Sequence, residues 1–569
     1  MDKTPINTSL KIILCGLLTI LIVSIIILAC VPPVSRDALI HHLAIPKLYL
    51  KHGGIYEIPN ARFSYYPMNL DLLYIIPLYF GNDIIPKYMH FGFALLTAYL
   101  IFSYLKRRLD ALYALLGVLL FLSLPVIVKL SITVYVDLGL IFFSTASLIF
   151  FLKWIKNDFN LKYLLISAVW CGLSLGTKYT GLVVLFLLTL FTVFIYARAS
   201  AGAATKPSKA IGLGIAFMLV AGIVFSPWAI RNYIWTNNPI YPLYNSWFDV
   251  KKTVPTEFSE TNEPGGATEG SNANIKKSSG EWGHFAVRKI VFNEKWWQIL
   301  IIPIRIFFQG EDDNPKYFDG RLNPLLFFLP IFAFLSFRRD SSKLKTEKTI
   351  LLAFSILFIL YAFFLTDMRI RYISPVIPPL VMLSMLGLKD LRKVIENRFS
   401  NYSRKIGLTA VYLIVFFLFC SNAVYIFNQF RLVEPIDYIR GRVGRDEYIE
   451  RYRPGHAAIQ FANLHLSKDV KILSVFLGNR SYYSNRAMVF HYKKFLLDTI
   501  SQGLSSAEVI AILKNVGITH LIIRYDLFNR WVENNFNESQ KGVLRKVLNE
   551  CMDLIFSKRG HGVFQLHPV

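Results

Sequence analysis

The chain has 569 residues, of which 54% are hydrophobic, 15% aromatic and only 17% charged, whereas soluble domains carry about a quarter charged residues. Its net charge of +25 falls in short links between apolar runs and in a polar C-terminal region, so it marks membrane topology rather than nucleic-acid binding. Of the five cysteines, Cys15, Cys30, Cys171 and Cys420 lie in or at the ends of apolar runs and Cys551 near the C-terminus; no C-x-x-C or His/Cys spacing indicates a zinc site or a disulfide framework.

Apolar runs long enough to cross a hydrocarbon core of roughly 30 Å as helices recur along the chain. They occupy 9–31, 87–105, 111–129, 137–153, 161–177, 181–197, 210–230, 324–337, 349–366, 373–389 and 407–428. The first is too long for a signal-peptide core and lacks a clear A-x-A site, so it reads as a retained helix. The stretch 299–308 is too short to span and reads as re-entrant or interfacial, and 324–337 and 373–389 are of marginal length. The expectation is an α-helical polytopic membrane protein with about eleven transmembrane helices.

Basic residues cluster in every second link: Lys106, Arg107 and Arg108; Lys153, Lys156 and Lys162; Arg198, Lys206 and Lys209; Arg338, Arg339, Lys343, Lys345 and Lys348; and Lys389, Arg392, Lys393, Arg398, Arg404 and Lys405. The positive-inside rule makes that side cytoplasmic. The N-terminus is then cytoplasmic, and the region 431–569 lies outside with the loops 32–86 and 231–323, the turn at 177–180 and "TDMRIRY" at 366–372. Residues 1–430 are read as the membrane domain and 431–569 as a small extracytoplasmic α/β domain. In the latter, "VKILSVF" at 470–476 and "ITHLIIRY" at 518–525 read as strands and "GVFQLHP" as a last one; between them "SSAEVIAILKNVG" carries Ser505 and Glu508 at capping-box spacing and Gly517 as a helix stop. The Gly-, Ser-, Asn- and Glu-rich segment 258–280 reads as mobile. There is no internal repeat.

The outer side collects the unusual residues. Asp37 and Asp137 stand at the outer ends of membrane helices, where a carboxylate near hydrocarbon is costly and invites a functional reading; the plain alternative is an interfacial acid in water. Lys178, Arg231, Arg369, Arg371 and Arg62 break the charge bias on this side. They suit a phosphate at the bilayer surface, the alternative being snorkelling to headgroups. His41 lies one helical turn from Asp37. With His42, His52 and Glu57 it makes no complete ligand set, and a divalent cation stays open. Glu311, Asp312, Asp313 and Asp319 read as a solvated loop. The aromatic-rich "RFSYYPMNLDLLY" reads as an amphipathic segment lying on the membrane.

Five stretches together resemble the GT-C class of integral membrane glycosyltransferases, near the bacterial aminoarabinose transferases and the protein mannosyltransferases: "RDALIHHLAIPKLYLKHGGIY", "YVDLGLIFF", "GLSLGTKYTGL", "PWAIRNYIWTNNPIYPLY" and "RIRYISPVIPPL". The resemblance covers about residues 30–390. It implies a bacterial inner-membrane enzyme that moves a sugar from a polyprenyl-phosphate carrier to a lipid, glycan or protein acceptor on the outer face, with inversion at the anomeric carbon. It implies a catalytic acid in the first outer loop, matched by Asp37, and a second in the next, matched by Asp137. Many members pair two acids in the first loop, but here the neighbour is Arg36. The lysine that aminoarabinose transferases carry beside prolines is absent from "SYYPMN", which moves the phosphate-binding role to Arg62 or Lys178, with Arg231, Arg369 and Arg371. A transporter or flippase of lipid-linked sugars, and a polymerase or ligase of diphosphate-linked glycans, are the competing readings.

Overall fold

The computed structural model describes residues 5–59, 61–199, 207–248, 283–490, 496–497, 500 and 504–567; the segment 258–280 and Lys206 lie outside them. The chain divides into two compact units, Met1–Cys30 with Ile55–Glu434, and Val31–Gly54 with Pro435–Val569. The later division between the units falls at Glu434 and Pro435. Residues 31–54, expected as an outer loop of the membrane domain, are counted in the second unit.

The first unit is helical. Among the described residues eight helices are long and apolar enough to cross a membrane: Thr8–Ala29, Ile85–Arg108, Asp137–Lys156, Gly181–Ala199, Pro207–Thr236, Ser342–Leu365, Ile370–Arg398 and Asn401–Val433. A ninth is reached if Ala111–Ser123 and Pro125–Ser131, bent by 64°, count as one span. The bend follows from Pro125, which forces Leu124 out of the helical region (ψ 131°) and then opens the next helix. This is fewer than the eleven apolar runs. The run at 161–177 is helical over Leu161–Leu175 only, and that at 324–337 over the eight residues Leu325–Phe332, which include Pro330.

Small polar residues set how these helices pack, as is common where no hydrophobic force separates helix from lipid. Helices Asp137–Lys156 and Leu161–Leu175 form an antiparallel hairpin. Ser147 and Ser167 each donate to the other's backbone carbonyl at 2.8 and 2.7 Å, and the Ser144 and Ser174 hydroxyls are 3.1 Å apart. That register brings the first residue of one helix beside the turn that follows the other. Helix Leu325–Phe332 crosses Ile377–Arg398 at Gly387, where a Cβ would collide with the Leu329 carbonyl.

Lys348, one of the basic residues of the link after the eighth apolar run, is 1% exposed, with Nζ 2.6 Å from Asp340, 2.8 Å from Asp390 and 2.6 Å from the Ala333 carbonyl. The acids of the 311–319 loop are likewise paired rather than merely solvated. Lys129 lies 3.0 Å from Asp313, Tyr425 donates to Asp312 at 2.6 Å, and Arg369 is 3.6 Å from Asp319.

The second unit is built on a five-stranded sheet: β1 (Lys471–Val475), β2 (Ala487–Val489), β3 (His520–Arg524), β4 (Met552–Lys558) and β5 (His561–Leu566), in the order β2-β1-β3-β5-β4. β1 runs parallel to β2 and β3, and β5 antiparallel to β3 and β4. Alternation along the strands separates two cores. Ile472, Ile522 and Val563 pack with Ala458, Ile459 and Ala462 of helix His456–His465. On the other face Leu473, Val475, Leu521 and Ile523 pack with Val509, Leu513, Phe528, Trp531 and Leu544. The capping box of Ser505 and Glu508 is present, and Gly517 takes φ +80° at the helix end. The β4–β5 hairpin turns on Arg559 and Gly560, both at positive φ (46° and 73°), as a two-residue type I′ turn requires.

Lys348→Ala leaves two buried carboxylates facing each other without their cation. The expected loss is about 3–5 kcal/mol, read as a lowered melting temperature of the detergent-purified protein. An unchanged melting temperature would show that the triad carries no stability.

Candidate functional site

The sequence candidates fall into both units, with Asp37 and His41 in the second and the remainder in the first. In the second unit, Asp37 stands at the start of a π-turn, Ala38–His42, closed by Leu43 N–H donating to the Ala38 carbonyl at 2.9 Å. Such i→i+5 turns are rare and often sit at functional positions. Asp37 and His41 are partly exposed and His42 is buried, with the two imidazole rings 4.0 Å apart. The segment is fastened on both sides of Asp37. Arg453 donates to the Val34 carbonyl at 2.7 Å and Tyr483 to that of Pro33 at 2.8 Å. Tyr482 N–H donates to Leu39 at 3.2 Å. Lys47 Nζ then reaches the carbonyls of Tyr482 and Ser484 and the Asn485 side chain at 2.7, 3.0 and 3.1 Å.

In the first unit Asp137 opens helix Asp137–Lys156 and is 1% exposed. Its carboxylate accepts from Lys178 Nζ at 2.7 Å, the pairing that the antiparallel hairpin register delivers. A buried carboxylate needs such a partner, and the helix N-terminus adds favourable partial charge. The backbone there is held by His90, which is fully buried. Its Nε2 accepts from Leu138 N–H at 2.9 Å, and its Nδ1 lies 3.0 and 3.1 Å from the Leu130 and Thr133 carbonyls.

Tyr372 gathers the cations. The Lys178 ammonium lies 5.3 Å from its ring centroid, and the guanidinium groups of Arg369 and Arg371 lie at 5.8 and 5.3 Å. Arg371 also lies 5.4 Å from the Tyr135 ring, whose carbonyl accepts from Tyr74 at 2.5 Å. Arg369 is oriented by Asp367 at 2.8 Å. Lys178, Arg369 and Arg371 are thus one cluster with Asp137 at its base.

Arg231 and Arg62 belong to a different group. Arg231 packs against Trp228 and Trp235, 4.6 and 4.9 Å from their centroids, and donates to Asn232 Oδ1 and to the Tyr66 carbonyl. Asn232, fully buried, donates to the Tyr65 carbonyl at 2.8 Å and the Tyr179 hydroxyl at 3.0 Å, and Tyr179 donates to Tyr241 at 2.8 Å. Arg62 opens the short 3₁₀ turn Arg62–Tyr65 and acts on Tyr241 through its charge. Asn69 closes the loop onto the hairpin. Its N–H donates to Gly176 at 3.0 Å and its Oδ1 accepts from Trp228 Nε1 at 2.8 Å. Beside it Leu70, Leu72, Leu73, Phe143, Leu173, Val224 and Trp228 line an apolar cavity of about 410 Å³.

Sequence reasoning missed His90, Tyr372, Asn69 and Asn232. His90 carries a usable signal, being a polar side chain inside the apolar run 87–105. Tyr372 does not, because only folding brings Lys178 to the two arginines that neighbour this ring in sequence. Among the described residues no group of three or more His, Cys, Asp or Glu is arranged to hold a metal ion, so no role is assigned to one.

A family model described as dolichyl-phosphate-mannose-protein mannosyltransferase matches residues 88–230, a stretch containing His90, Asp137 and Lys178. No curated protein matches the chain in sequence. Among solved structures, ArnT from Cupriavidus metallidurans in the apo state is similar over 98% of this chain and 98% of its own, with TM-score 0.56 and 14% identity. The same protein bound to undecaprenyl phosphate is similar over 97% of both chains, with TM-score 0.55 and 14% identity. The oligosaccharyltransferase of Archaeoglobus fulgidus tethered with an acceptor peptide matches over 97% of this chain and 74% of its own, with TM-score 0.54 and 11% identity. At these identities the likeness is one of fold. The chain is an integral membrane protein with the fold of the GT-C glycosyltransferases, as its sequence resemblance implied.

If the hairpin register creates the Asp137–Lys178 pair, the two residues are energetically coupled. A double-mutant cycle of Asp137→Asn and Lys178→Gln, read by thermal unfolding, is expected to give a coupling of roughly 0.5–3 kcal/mol. Strict additivity would remove the pair from the account.

Proposed function

We propose that this protein transfers a sugar from a polyprenyl-phosphate carrier to an acceptor hydroxyl at the outer face of a bacterial cytoplasmic membrane, with its N-terminus cytoplasmic and its C-terminal unit outside. The observation that carries the reading is the cation cluster of Lys178, Arg369 and Arg371 over buried Asp137, in a fold shared with a protein that binds undecaprenyl phosphate. The apolar cavity beside Asn69 and Trp228 supports a prenyl chain as part of the substrate.

The chemistry asks for two things. As the glycosidic C–O bond to phosphate breaks, negative charge grows on the leaving group, and preoriented cations stabilise it. Lys178, Arg369 and Arg371 take that role, with Arg231 and Arg62 as further candidates. The acceptor oxygen must meanwhile lose a proton. Asp37, partly exposed and fastened on both sides, is the general base that takes it. Asp137 is buried and already hydrogen-bonded, which suits holding Lys178 in place better than proton transfer. His41 orients groups near Asp37. Displacement of phosphate by the acceptor oxygen in one step inverts the anomeric carbon. The acceptor class is a lipid, glycan or protein.

The test is transfer from a synthetic polyprenyl-phosphate sugar to a membrane extract by the purified protein. Asp37→Asn is expected to lower kcat by roughly 10²–10⁴ while native mass spectrometry still finds polyprenyl phosphate bound; Lys178→Gln is expected to weaken lipid retention. Wild-type turnover in Asp37→Asn sinks the base assignment. Failure of polyprenyl phosphate to associate with the wild type sinks the donor and favours the transporter reading.

A further inference from the structure

The first unit carries an apolar face that its own core does not use. Two short helices, Trp296–Leu300 and Ile302–Arg305, follow one another through Ile301. Trp296, Trp297, Leu300, Ile301, Ile304 and Phe308 are all exposed, Trp296 by 75% and Leu300 by 62%. They recur every three or four residues, which places them along one side of the helical turns. The opposite side, with Ile299, Ile302, Ile306 and Phe307, is built into the hydrophobic core. A helix over 296–308 reaches about 20 Å, short of the roughly 30 Å of a hydrocarbon core. The exposed row is also more contiguous than a water-facing surface ordinarily tolerates.

What covers this face follows from what it adjoins. The Phe308 ring lies 5.6 Å from those of both Phe327 and Phe328. Upstream, Phe285 lies 5.1 Å from Phe363 and 6.4 Å from Phe364. Phe328 and Phe364 are themselves exposed, on the apolar helices Leu325–Phe332 and Ser342–Leu365. The second of these is long and apolar enough to cross a membrane, so its exposed residues face lipid. The row is therefore continuous with a lipid-facing surface, at the helix end that carries Phe364. Tryptophan suits the membrane–water boundary, with an apolar ring and an N–H donor, and the exposed Lys289 and Lys295 suit headgroup phosphates. Arg288, Glu294 and Arg305 are instead buried. Glu294 lies 3.2 Å from Arg288 and 3.0 Å from Arg305, and the two guanidinium groups stand 4.7 and 5.7 Å from the centroid of the Phe318 ring.

We propose that the segment 296–308 lies on the bilayer as an amphipathic strip rather than dipping into it, with Trp296, Trp297, Leu300, Ile304 and Phe308 among the headgroups and upper acyl carbons of phospholipid. The inner side of the strip bears on the loop that meets the cation cluster. The carbonyl of Phe318, the residue under Arg288 and Arg305, accepts from Ile370 N–H at 2.8 Å. Asp319, which follows it, is 3.6 Å from Arg369. Lipid contact at the strip thus helps hold Arg369 at a fixed depth. That Arg369 meets a donor phosphate at that depth rests on the glycosyl-transfer reading; the lipid contact does not.

The experiment is photolabelling of the full chain in phosphatidylcholine nanodiscs, with the labelled sites mapped by peptide mass spectrometry. Two phosphatidylcholine probes are compared, one with its diazirine on an acyl carbon near the glycerol and one with it at the chain end. The first is expected to label 296–308 at least fivefold more than the second, while helix Asn401–Val433 is labelled by both. No labelling of 296–308 by either probe overturns the lipid contact. Labelling by the chain-end probe at the level of Asn401–Val433 overturns the surface position in favour of a re-entrant one. A dimer in native mass spectrometry whose dissociation unmasks the labelling makes a second copy the occupant and overturns the proposal as well. Trp296→Ser with Leu300→Ser is expected to cut labelling at 304–308 at least threefold and to speed hydrogen exchange at 316–320. The melting temperature is expected to stay unchanged, because both side chains are largely exposed. Lost labelling with unaltered exchange overturns the link to Arg369. Undecaprenyl phosphate failing to associate while 296–308 is labelled as expected fells the donor reading alone.

Discussion

A carboxylate buried in the first turn of an apolar helix has to be held by a cation, and much of the first unit is arranged to supply one. Asp137 and Lys178 meet because a hairpin of two helices, locked by Ser147–Ser167 and Ser144–Ser174, returns the chain to the level at which it set out. His90 fastens the start of the first helix, so the carboxylate is presented by a rigid backbone. Without Lys178 the charge would be left in low dielectric, where an unpaired ion is costly. The same turn carries Tyr179, which Asn232 and Tyr241 bind, and Gly176, whose carbonyl takes the Asn69 N–H. One ion pair, the buried Asn232 and the half-buried Asn69 thus fix the loops between which the arginines stand.

This arrangement separates cations with structural duties from those gathered around one ring. Arg231, Lys348 and Arg108 are oriented by buried hydrogen-bond acceptors: Asn232 and the Tyr66 carbonyl, the pair Asp340 and Asp390, and Glu347. Lys178, Arg369 and Arg371 also converge on one aromatic face, which attracts cations while leaving them charged. Lys178 is paired with buried Asp137, and Arg369 with Asp367 and Asp319, so the proposed donor phosphate would compete with these carboxylates for cations that the ring holds together.

Hydropathy made the membrane class and the positions of the helices readable, because the bilayer demands long apolar helices and penalises anything else. Helix ends were less readable. The run at 324–337 contains Pro330 and stops being helical at Phe332, and 111–129 breaks at Pro125. β1, β3 and β5 show in the sequence as apolar runs, since β1 and β3 are almost wholly buried. β2 has only three residues, none of them buried, and β4 is largely exposed, so neither carries the pattern that marks a strand. Asp37, Asp137, Lys178, Arg369 and Arg371 could each be picked out as a charge in an unusual place. The pairing of Asp137 with Lys178 follows from an antiparallel hairpin, whereas the approach of Lys178 to Tyr372 joins residues far apart in sequence.

The segment 31–54 was the least readable part, and its position changes how the assigned base is to be understood. It is covalently continuous with the helical unit at both ends, yet its polar contacts run to Arg453, Tyr482, Tyr483, Ser484 and Asn485. Lys47 alone makes three such bonds. A loop carrying a general base gains from such fastening, because a base that wanders through many conformers is seldom in the one geometry that reacts. Here the ordering groups come from a domain more than four hundred residues downstream. Under the proposed assignment of Asp37 as the base, the C-terminal unit would act on the chemistry through the conformation of this segment, which would be a physical reason for the chain to carry a sheet-based domain.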